Sequence, residues 1–223
     1  MPKRAHFTPE LFRFLRELKR HNDRAWFQAN KRRYEDHVRN PMLQFIADLG
    51  PKLGAVSRHF VADPRPVGGS LFRIHRDTRF AADKSPYKTH AAAAFRHESR
   101  GDTSQPGFYV HLSPGESFVG AGLWHPDAAA LTEIRNAIVA APEQWKRATA
   151  KIEVDGEARK RPPRGYDPDH PLIDDLKRKD FTTGKPFTDA RVCAPAFLDA
   201  VAAEYRRAAP LVAFLCRPLG LSF

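Results

Sequence analysis

Residues 107–124 of the chain read GFYVHLSPGESFVGAGLW. Apolar residues alternate with polar or small residues on both sides of a central Ser113-Pro114-Gly115-Glu116 segment. This alternation is typical of two half-buried strands joined by a tight turn. The stretch therefore predicts an antiparallel hairpin with strands over residues 108–112 and 117–124.

Further extended segments are predicted on either side of this hairpin. Period-two patterning indicates strands over residues 71–76 and 88–96, and an extended segment over 181–188. A charged hairpin around Asp155-Gly156 is expected over residues 151–161.

Helices are predicted before and after this extended region. Each start is marked by a capping residue or by proline at the first helical position. The expected starts are Pro9 after Thr8, Asn22 or Asp23 with a kink at Asn40-Pro41, Asp127, Pro142, residue 171 and Pro195, the last with a bend at Pro210. Strands in the middle with helices at both ends predict an α+β fold. We expect a largely antiparallel central sheet flanked by N- and C-terminal helices, with residues 1–223 as a single domain.

Composition excludes several classes of protein. The 223 residues are 42% hydrophobic and 28% charged, as in ordinary globular proteins. No stretch approaches the roughly 20 apolar residues of a membrane span, and the N-terminus lacks an apolar signal core. Cys193 and Cys216 form no C-x-x-C motif, which argues against a disulfide framework and a cysteine zinc site. We therefore expect a cytoplasmic protein without membrane contact.

The net charge of +11 is concentrated in the first hundred residues. Residues 1–40 hold eleven basic and five acidic side chains, and residues 71–100 hold seven and three. Arginine supplies 25 of the 37 cations, and its planar fork suits phosphate and carboxylate groups. The charge indicates an anionic partner, either nucleic acid or a phosphorylated small molecule. The alternative is an arginine-rich surface that is only solvated.

The richest segment for chemistry is residues 71–90, LFRIHRDTRFAADKSPYKTH. Its cations are interleaved with carboxylates, which commonly fix guanidinium groups by bidentate pairing. The segment predicts either a preorganised anion pocket or a structural salt-bridge network. For the pocket, Arg76 and Arg79 are expected to converge on one cavity with Lys84 or Lys88. The candidate ligand-binding residues here are Arg73, Arg76, Asp77, Arg79, Asp83, Lys84, Tyr87 and Lys88.

Small residues in two predicted strands suggest a shallow floor on one face of the sheet. Residues 91–94 are all alanine, and residues 120–122 read Gly-Ala-Gly. Tyr109, His111 and Trp124 are expected on the same face and complete the candidate ligand-binding set. Small residues allow either a flat ligand or another backbone to approach closely. The alternative is that a long amphipathic helix packs on this floor.

Candidates for proton transfer and metal binding are few. His111 and His75 are the candidate proton carriers, because histidine titrates near neutral pH. Asp167, Asp169 and His170 form a weak candidate metal cluster in a proline-rich turn, and Asp77 or His111 could complete the ligand set. Adjacent residues rarely all point at one ion, so we predict no tightly bound metal and no cofactor. The sequence motifs of phosphate loops, nucleophile elbows and helical zinc sites are absent.

Several blocks of the sequence resemble a known family. They are Asn22–Phe27 (NDRAWF), residues 76–80 (RDTRF), 83–88 (DKSPYK), 106–112, 120–124, 164–166, 169–171 and 176–181. In this order they are similar to the domain-of-unknown-function family 2461, a set of conserved uncharacterised proteins. The resemblance implies one domain over about residues 5–220. It implies no activity, but it favours a site in the Arg73–Lys88 block.

Three functions remain open from the sequence. The leading prediction is a protein that binds an anionic, phosphate-bearing ligand in a basic pocket on the sheet. The alternatives are a metal-assisted hydrolase, and a nucleic-acid-binding or protein-interaction module without catalysis. Any nucleic-acid binding is expected to be non-specific. Whether the protein is an enzyme, and its oligomeric state, are left open by the sequence.

Overall fold

A four-stranded antiparallel sheet forms the centre of the computed structural model, which describes residues 5–99 and 105–223. The strands lie in the order β1-β2-β3-β4 and are β1 Ala91–Arg96, β2 Gly107–Leu112, β3 Ser117–Leu123 and β4 Phe181–Phe187. Ala92 pairs with His111, and His111 in turn pairs with Phe118. The predicted hairpin and the α+β class are confirmed.

The N-terminal helices begin where the caps predict. They are α1 Pro9–Arg20, α2 Arg24–Ala29, α3 Lys31–Tyr34 and α4 Asn40–Gly54, with a π-helical turn over Glu35–Arg39. The Asp23 carboxylate caps α2 by accepting a hydrogen bond from the Trp26 amide at 2.9 Å. The π-helical turn directly precedes Asn40-Pro41, where a kink was expected. Proline lacks an N–H group and its ring crowds the preceding turn, which accounts for the local irregularity.

Most C-terminal helices also follow the sequence pattern, but the short helix over Asp189–Val192 was not predicted. The C-terminal helices are α5 Ala128–Ala140, α6 Pro142–Thr149, α7 Ile173–Leu176, α8 Asp189–Val192 and α9 Phe197–Cys216, followed by a 3₁₀ turn over Arg217–Leu219. Pro210 lies inside α9. The predicted hairpin over residues 151–161 is wrong. Instead, Asp155 bridges to Thr182 on β4, an edge strand whose outer backbone groups are free to pair, and Ala158 bridges to Arg178, three residues before β4 begins.

The helices pack against one face of the sheet and form the core there. Phe95, Phe108 and Val110 point into this core from β1 and β2. In α9, the Tyr205 ring lies 4.8 Å from that of Phe108, and its hydroxyl donates a hydrogen bond to the Tyr109 carbonyl at 2.9 Å. Side chains alternate across a strand, so the neighbouring residue of each core residue lies on the opposite, open face. Within the floor of small residues, Ala91, Ala93 and Ala121 therefore face the helices, in line with the helix alternative, and the other small residues lie on the open face.

The predicted strand over residues 71–76 is wrong, because this segment changes its pairing partner half-way. The Phe72 amide donates to the Ala92 carbonyl at 2.9 Å, next to β1. Beyond this point the Lys88 amide donates to the Ile74 carbonyl at 2.8 Å, which pairs the segment with residues 86–88 instead. The change breaks the two-residue period. Leu71 and Ile74 are both buried in the core, whereas Phe72 lies on the open face.

The length and apolarity of a helix decide whether it could cross a membrane. Within residues 5–99 and 105–223, no helix combines the length and apolarity needed to cross a membrane.

Candidate functional site

Aromatic and basic side chains gather on the open face of the sheet, over β1, β2 and β3. We call this set the open-face cluster, and it consists of Phe72, Lys88, His90, Tyr109, His111 and Phe118. It forms because Tyr109 and His111 on β2 and Phe118 on β3 lie on one face of the sheet. The segment over residues 72–90 folds back along β1 and adds the other three.

The two histidines form the centre of the cluster. His90 precedes β1, and its ring centroid lies 4.3 Å from that of His111, a diagonal neighbour on β2. The Tyr109 hydroxyl and His111 Nδ1 share a hydrogen bond of 3.1 Å. The His111 ring also stacks on Phe118, with 4.9 Å between centroids and 17° between planes. The His111 ring therefore contacts three neighbouring rings, those of His90, Tyr109 and Phe118.

Cations lie along one side of the cluster. The Lys88 ammonium is 5.3 Å from the centre of the Phe72 ring, and the Arg96 guanidinium is 5.9 Å from it. Phe72 in turn lies 6.2 Å from Tyr109. Within residues 5–99 and 105–223, no carboxylate forms an ion pair with Lys88, Arg96 or the neighbouring Arg73. The cluster is thus bordered by positive charge that no acidic residue of the described chain neutralises by direct contact.

The pKa values of the cluster reflect burial and this positive charge. Burial, with smaller contributions from His111 and Lys88, lowers the pKa of His90 to about 4. Burial also lowers the pKa of His111 and raises that of Tyr109. The pKa of Lys88 is lowered by burial and then by the charge of Arg73. At neutral pH the site consists of neutral imidazole and phenol groups beside fixed cations.

The small residues of the floor have different roles. Gly120 lies within the open face, close to the Phe118 ring. Gly122 has φ = 122°, and a Cβ atom there would lie 2.1 Å from the Phe181 carbonyl oxygen. Gly122 is therefore needed because the β4 backbone approaches closely, which was one of the two explanations that the sequence left open.

The charged residues of the predicted pocket pair within their own loop. Asp83 accepts a hydrogen bond from the Arg76 guanidinium, and Asp77 binds the Arg79 guanidinium through two contacts of 3.0 and 2.7 Å. The Lys84 ammonium donates to the Thr78 carbonyl at 3.0 Å. This arrangement corresponds to the salt-bridge network that was the alternative to a pocket. That Arg76 and Arg79 converge on one cavity stays a prediction.

Other candidate residues lie apart from the cluster. Tyr87 is a core residue at 3% exposure, and its ring stacks on Phe27 at 4.1 Å. Its backbone is held by the Asn22 amide side chain, which donates to the Tyr87 carbonyl at 2.9 Å and accepts from the Tyr87 amide at 3.0 Å. His75 is exposed and lies beside Tyr87. Trp124 stacks on His125 beyond the far end of β3, six residues from Phe118.

The acidic turn proposed as a weak metal site uses its side chains locally. The Asp167 carboxylate accepts from the Asp169 amide at 2.9 Å, and His170 Nδ1 accepts from the Leu172 amide at 3.0 Å. Over the described ranges, no group of three His, Cys, Asp or Glu side chains is arranged to hold a metal ion. The contacts in this turn are those of backbone capping.

Sequence reasoning missed three members of the cluster, namely Phe72, His90 and Phe118. His90 lies two residues before Ala92, so both side chains are on the same face of the sheet, and Ala92 pairs with His111. Once that register is known, His90 is recognisable as the neighbour of His111. The register itself was not available from the pattern of alternation.

The comparisons with known proteins give a family and no activity. No curated protein matches the sequence significantly. The family model described as conserved hypothetical protein (DUF2461) matches residues 10–214, which includes every strand and almost every helix of the fold. The open-face cluster lies entirely within this match, and on this match the chain belongs to the DUF2461 family.

Proposed function

We propose that the protein binds a small phosphate-bearing molecule with a planar ring on the open face of the sheet. The observation that carries this proposal is the close His90–His111 pair on the open face, beside Lys88 and Arg96, which form no ion pair with a carboxylate among the described residues.

Charge is the first argument. Lys88 and Arg73 lie close enough for the Arg73 charge to lower the Lys88 pKa, and Arg96 shares the Phe72 ring with Lys88. Cations held close together repel each other, and a bound anion relieves that repulsion. Lysine and arginine both donate strong hydrogen bonds to phosphate oxygens. A phosphate group beside Lys88 therefore matches the electrostatics of the site.

Ring stacking is the second argument. Phe118 is 38% exposed although its ring already contacts His111 and Tyr109. Phe72 is half-buried and contacts Tyr109 on the other side. A planar group lying along these rings would bury apolar surface that now faces solvent, and stacking on aromatic side chains contributes about 1–3 kcal/mol per base in nucleotide complexes.

Hydrogen bonding is the third argument. The raised pKa of Tyr109 keeps its phenol protonated at neutral pH, so it can donate to His111 Nδ1. With Tyr109 as donor, the proton of neutral His111 lies on Nε2, and that N–H is the polar group offered to a ligand.

The proposal is tested with adenosine 5′-monophosphate as the probe, titrated calorimetrically at low salt beside adenosine and inorganic phosphate. We expect the nucleotide to bind more tightly than either fragment. Lys88→Gln should weaken binding about tenfold, because a charged hydrogen bond to phosphate is lost. The matched control is Lys31→Gln, which alters an exposed lysine on α3 outside the cluster.

The imidazole signals of His90 give an independent readout by NMR. A bound phosphate should raise the pKa of His90 above its free value of about 4, because an opposite charge favours the protonated ring. Equal affinity for adenosine and the nucleotide would contradict the proposal, as would equal losses in Lys88→Gln and Lys31→Gln. If a single-stranded oligonucleotide binds far more tightly, with steep salt dependence, a nucleic-acid-binding module replaces the small-ligand proposal.

A further inference from the structure

A basic cavity lies away from the open-face cluster, between α5 and the segment over residues 159–166. Its volume is about 390 Å³, within the range of small-molecule sites. Arg135 lines it from α5, and Arg159, Arg164 and Tyr166 line it from the opposite segment. Leu131 and Pro163 add an apolar wall. No carboxylate belongs to the lining.

Arg135 is fixed in place but keeps part of its guanidinium free. It is only 5% exposed, its Nε donates to the Leu176 carbonyl at 2.7 Å, and its Nη2 donates to the Arg178 carbonyl at 2.8 Å. None of the hydrogen bonds among the described residues uses its Nη1. Over the same residues, no side-chain nitrogen or oxygen is both buried and unpaired. Nη1 therefore reaches solvent. Because Arg135 is almost completely buried and lines the cavity, this access lies on the cavity side.

Positive charge accumulates around this group. Burial lowers the pKa of Arg135, and the charge of Arg159 lowers it further. Across residues 5–99 and 105–223, no carboxylate forms an ion pair with Arg135, Arg159 or Arg164. The Tyr166 hydroxyl is held at the cavity by donating to Asn136 Oδ1 at 2.8 Å. An oxyanion in the cavity would receive hydrogen bonds from a preoriented guanidinium and meet two further cations.

We infer that this cavity is a binding site for a small organic phosphate, with the phosphate on Arg135 Nη1 and an apolar part against Leu131 and Pro163. A nucleic-acid backbone does not fit. Each of its phosphates is flanked by two sugars, and this bulk keeps it from reaching Arg135, which is only 5% exposed. The inference is independent of the function proposed for the open face, because the two sites share no residue.

Phenyl phosphate is the probe, since it combines a phosphate with a small apolar ring, and phenol is its uncharged counterpart. We expect saturable calorimetric binding of phenyl phosphate and much weaker binding of phenol. Arg159→Gln and Arg164→Gln should each raise the Kd about tenfold, because both side chains are exposed and their loss removes charge without disturbing the core. Arg161→Gln is the matched control, since Arg161 is an exposed arginine in the same segment that does not line the cavity.

Arg135→Lys keeps the charge but removes the fork, and it should weaken binding while circular dichroism shows the fold intact. Equal binding of phenol and phenyl phosphate would overturn the inference. So would an equal loss of affinity in Arg161→Gln and Arg164→Gln. His111→Ala should leave the Kd within about twofold, and a larger loss would show that the probe binds the open face instead.

Discussion

His90 and His111 lie 4.3 Å apart between ring centroids, diagonally across β1 and β2, with 34° between their planes. Two imidazoles at this distance resist simultaneous protonation, since each positive charge disfavours the other. Lys88 adds to the effect on His90. Burial is the larger cause, since it lowers the pKa of both rings, so the pair is a neutral polar surface near pH 7 and destabilises the fold in acid.

The first prediction concerns this acid sensitivity. The pKa of His90 falls from 6.5 to about 4 on folding, so the unfolded chain binds more protons between these values. Stability should be unaffected by His90 above pH 6.5, decline as the pH falls through this window, and show no further His90 contribution below pH 4. The loss should be about 1–2 kcal/mol, because solvent screening at this half-exposed site reduces the full linkage value.

Urea unfolding of the native protein and of His90→Asn across this pH range measures the difference in unfolding free energy. An unchanged pH profile in His90→Asn would contradict the prediction.

The second prediction concerns the close approach of β3 and β4. Gly122→Ala should destabilise the protein by about 3 kcal/mol or more, because the new Cβ atom would collide with the Phe181 carbonyl and φ = 122° is unfavourable for alanine. Gly54→Ala is the control, since that glycine ends α4 and a Cβ atom there meets nothing within 4 Å. It should be neutral or stabilising by up to about 1 kcal/mol. Similar unfolding midpoints for the two variants would refute the close-approach argument.

The third prediction links the core to the site through Tyr205. Tyr205→Phe removes the hydroxyl that donates to the Tyr109 carbonyl, and it should cost about 1 kcal/mol of unfolding free energy. The Phe108 contact is kept, so the ring should remain in place. Chemical denaturation gives the cost, and the NMR signals of the Tyr109 amide and His111 ring should shift. Unchanged stability together with unchanged signals would show that this hydrogen bond does not position the site.

The fourth prediction concerns metal. Asp167 and His170 accept hydrogen bonds from backbone amides within their turn, so they are poorly placed to bind one metal ion together. Elemental analysis of protein purified without chelators or metal-affinity resin should find well under one equivalent of zinc or manganese. A stoichiometric metal that disappears in Asp169→Ala or His170→Ala would instead favour the metal-assisted hydrolase.

Local signals in the sequence predicted most of the architecture. The caps at Asp23 and Asp127 each accept the expected amide hydrogen bond, and the alternation around Ser113–Glu116 gave the hairpin. Such features depend on residues within a few positions of each other, which a single sequence contains. The α+β class followed from their order along the chain.

The parts that could not be predicted depend on pairing between distant segments. Residues 71–76 alternate like a strand, but their backbone switches from β1 to residues 86–88, and alternation carries no information about partners. For the same reason Tyr87 was assigned to the ligand-binding set although it packs on Phe27, and His90 was left out although it contacts His111. The charged loop was recognised from the sequence. Whether its side chains form internal ion pairs or line a pocket depends on side-chain geometry, which the sequence does not contain.

The clamp between Asn22 and the backbone of Tyr87 has a consequence for motion. Asn22 stands just before α2, and its amide group binds both backbone groups of a residue 65 positions later. Lys88 follows this residue directly and His90 comes two positions later, so moving this segment away from the sheet breaks two hydrogen bonds to Asn22, which lies between α1 and α2. The Tyr87 amide should thus exchange with solvent at the slow rate of the α1–α2 helical unit and not at the faster rate of a surface loop. Lys88, a cation at the border of the open face, would then be held almost as rigidly as the strands beneath it.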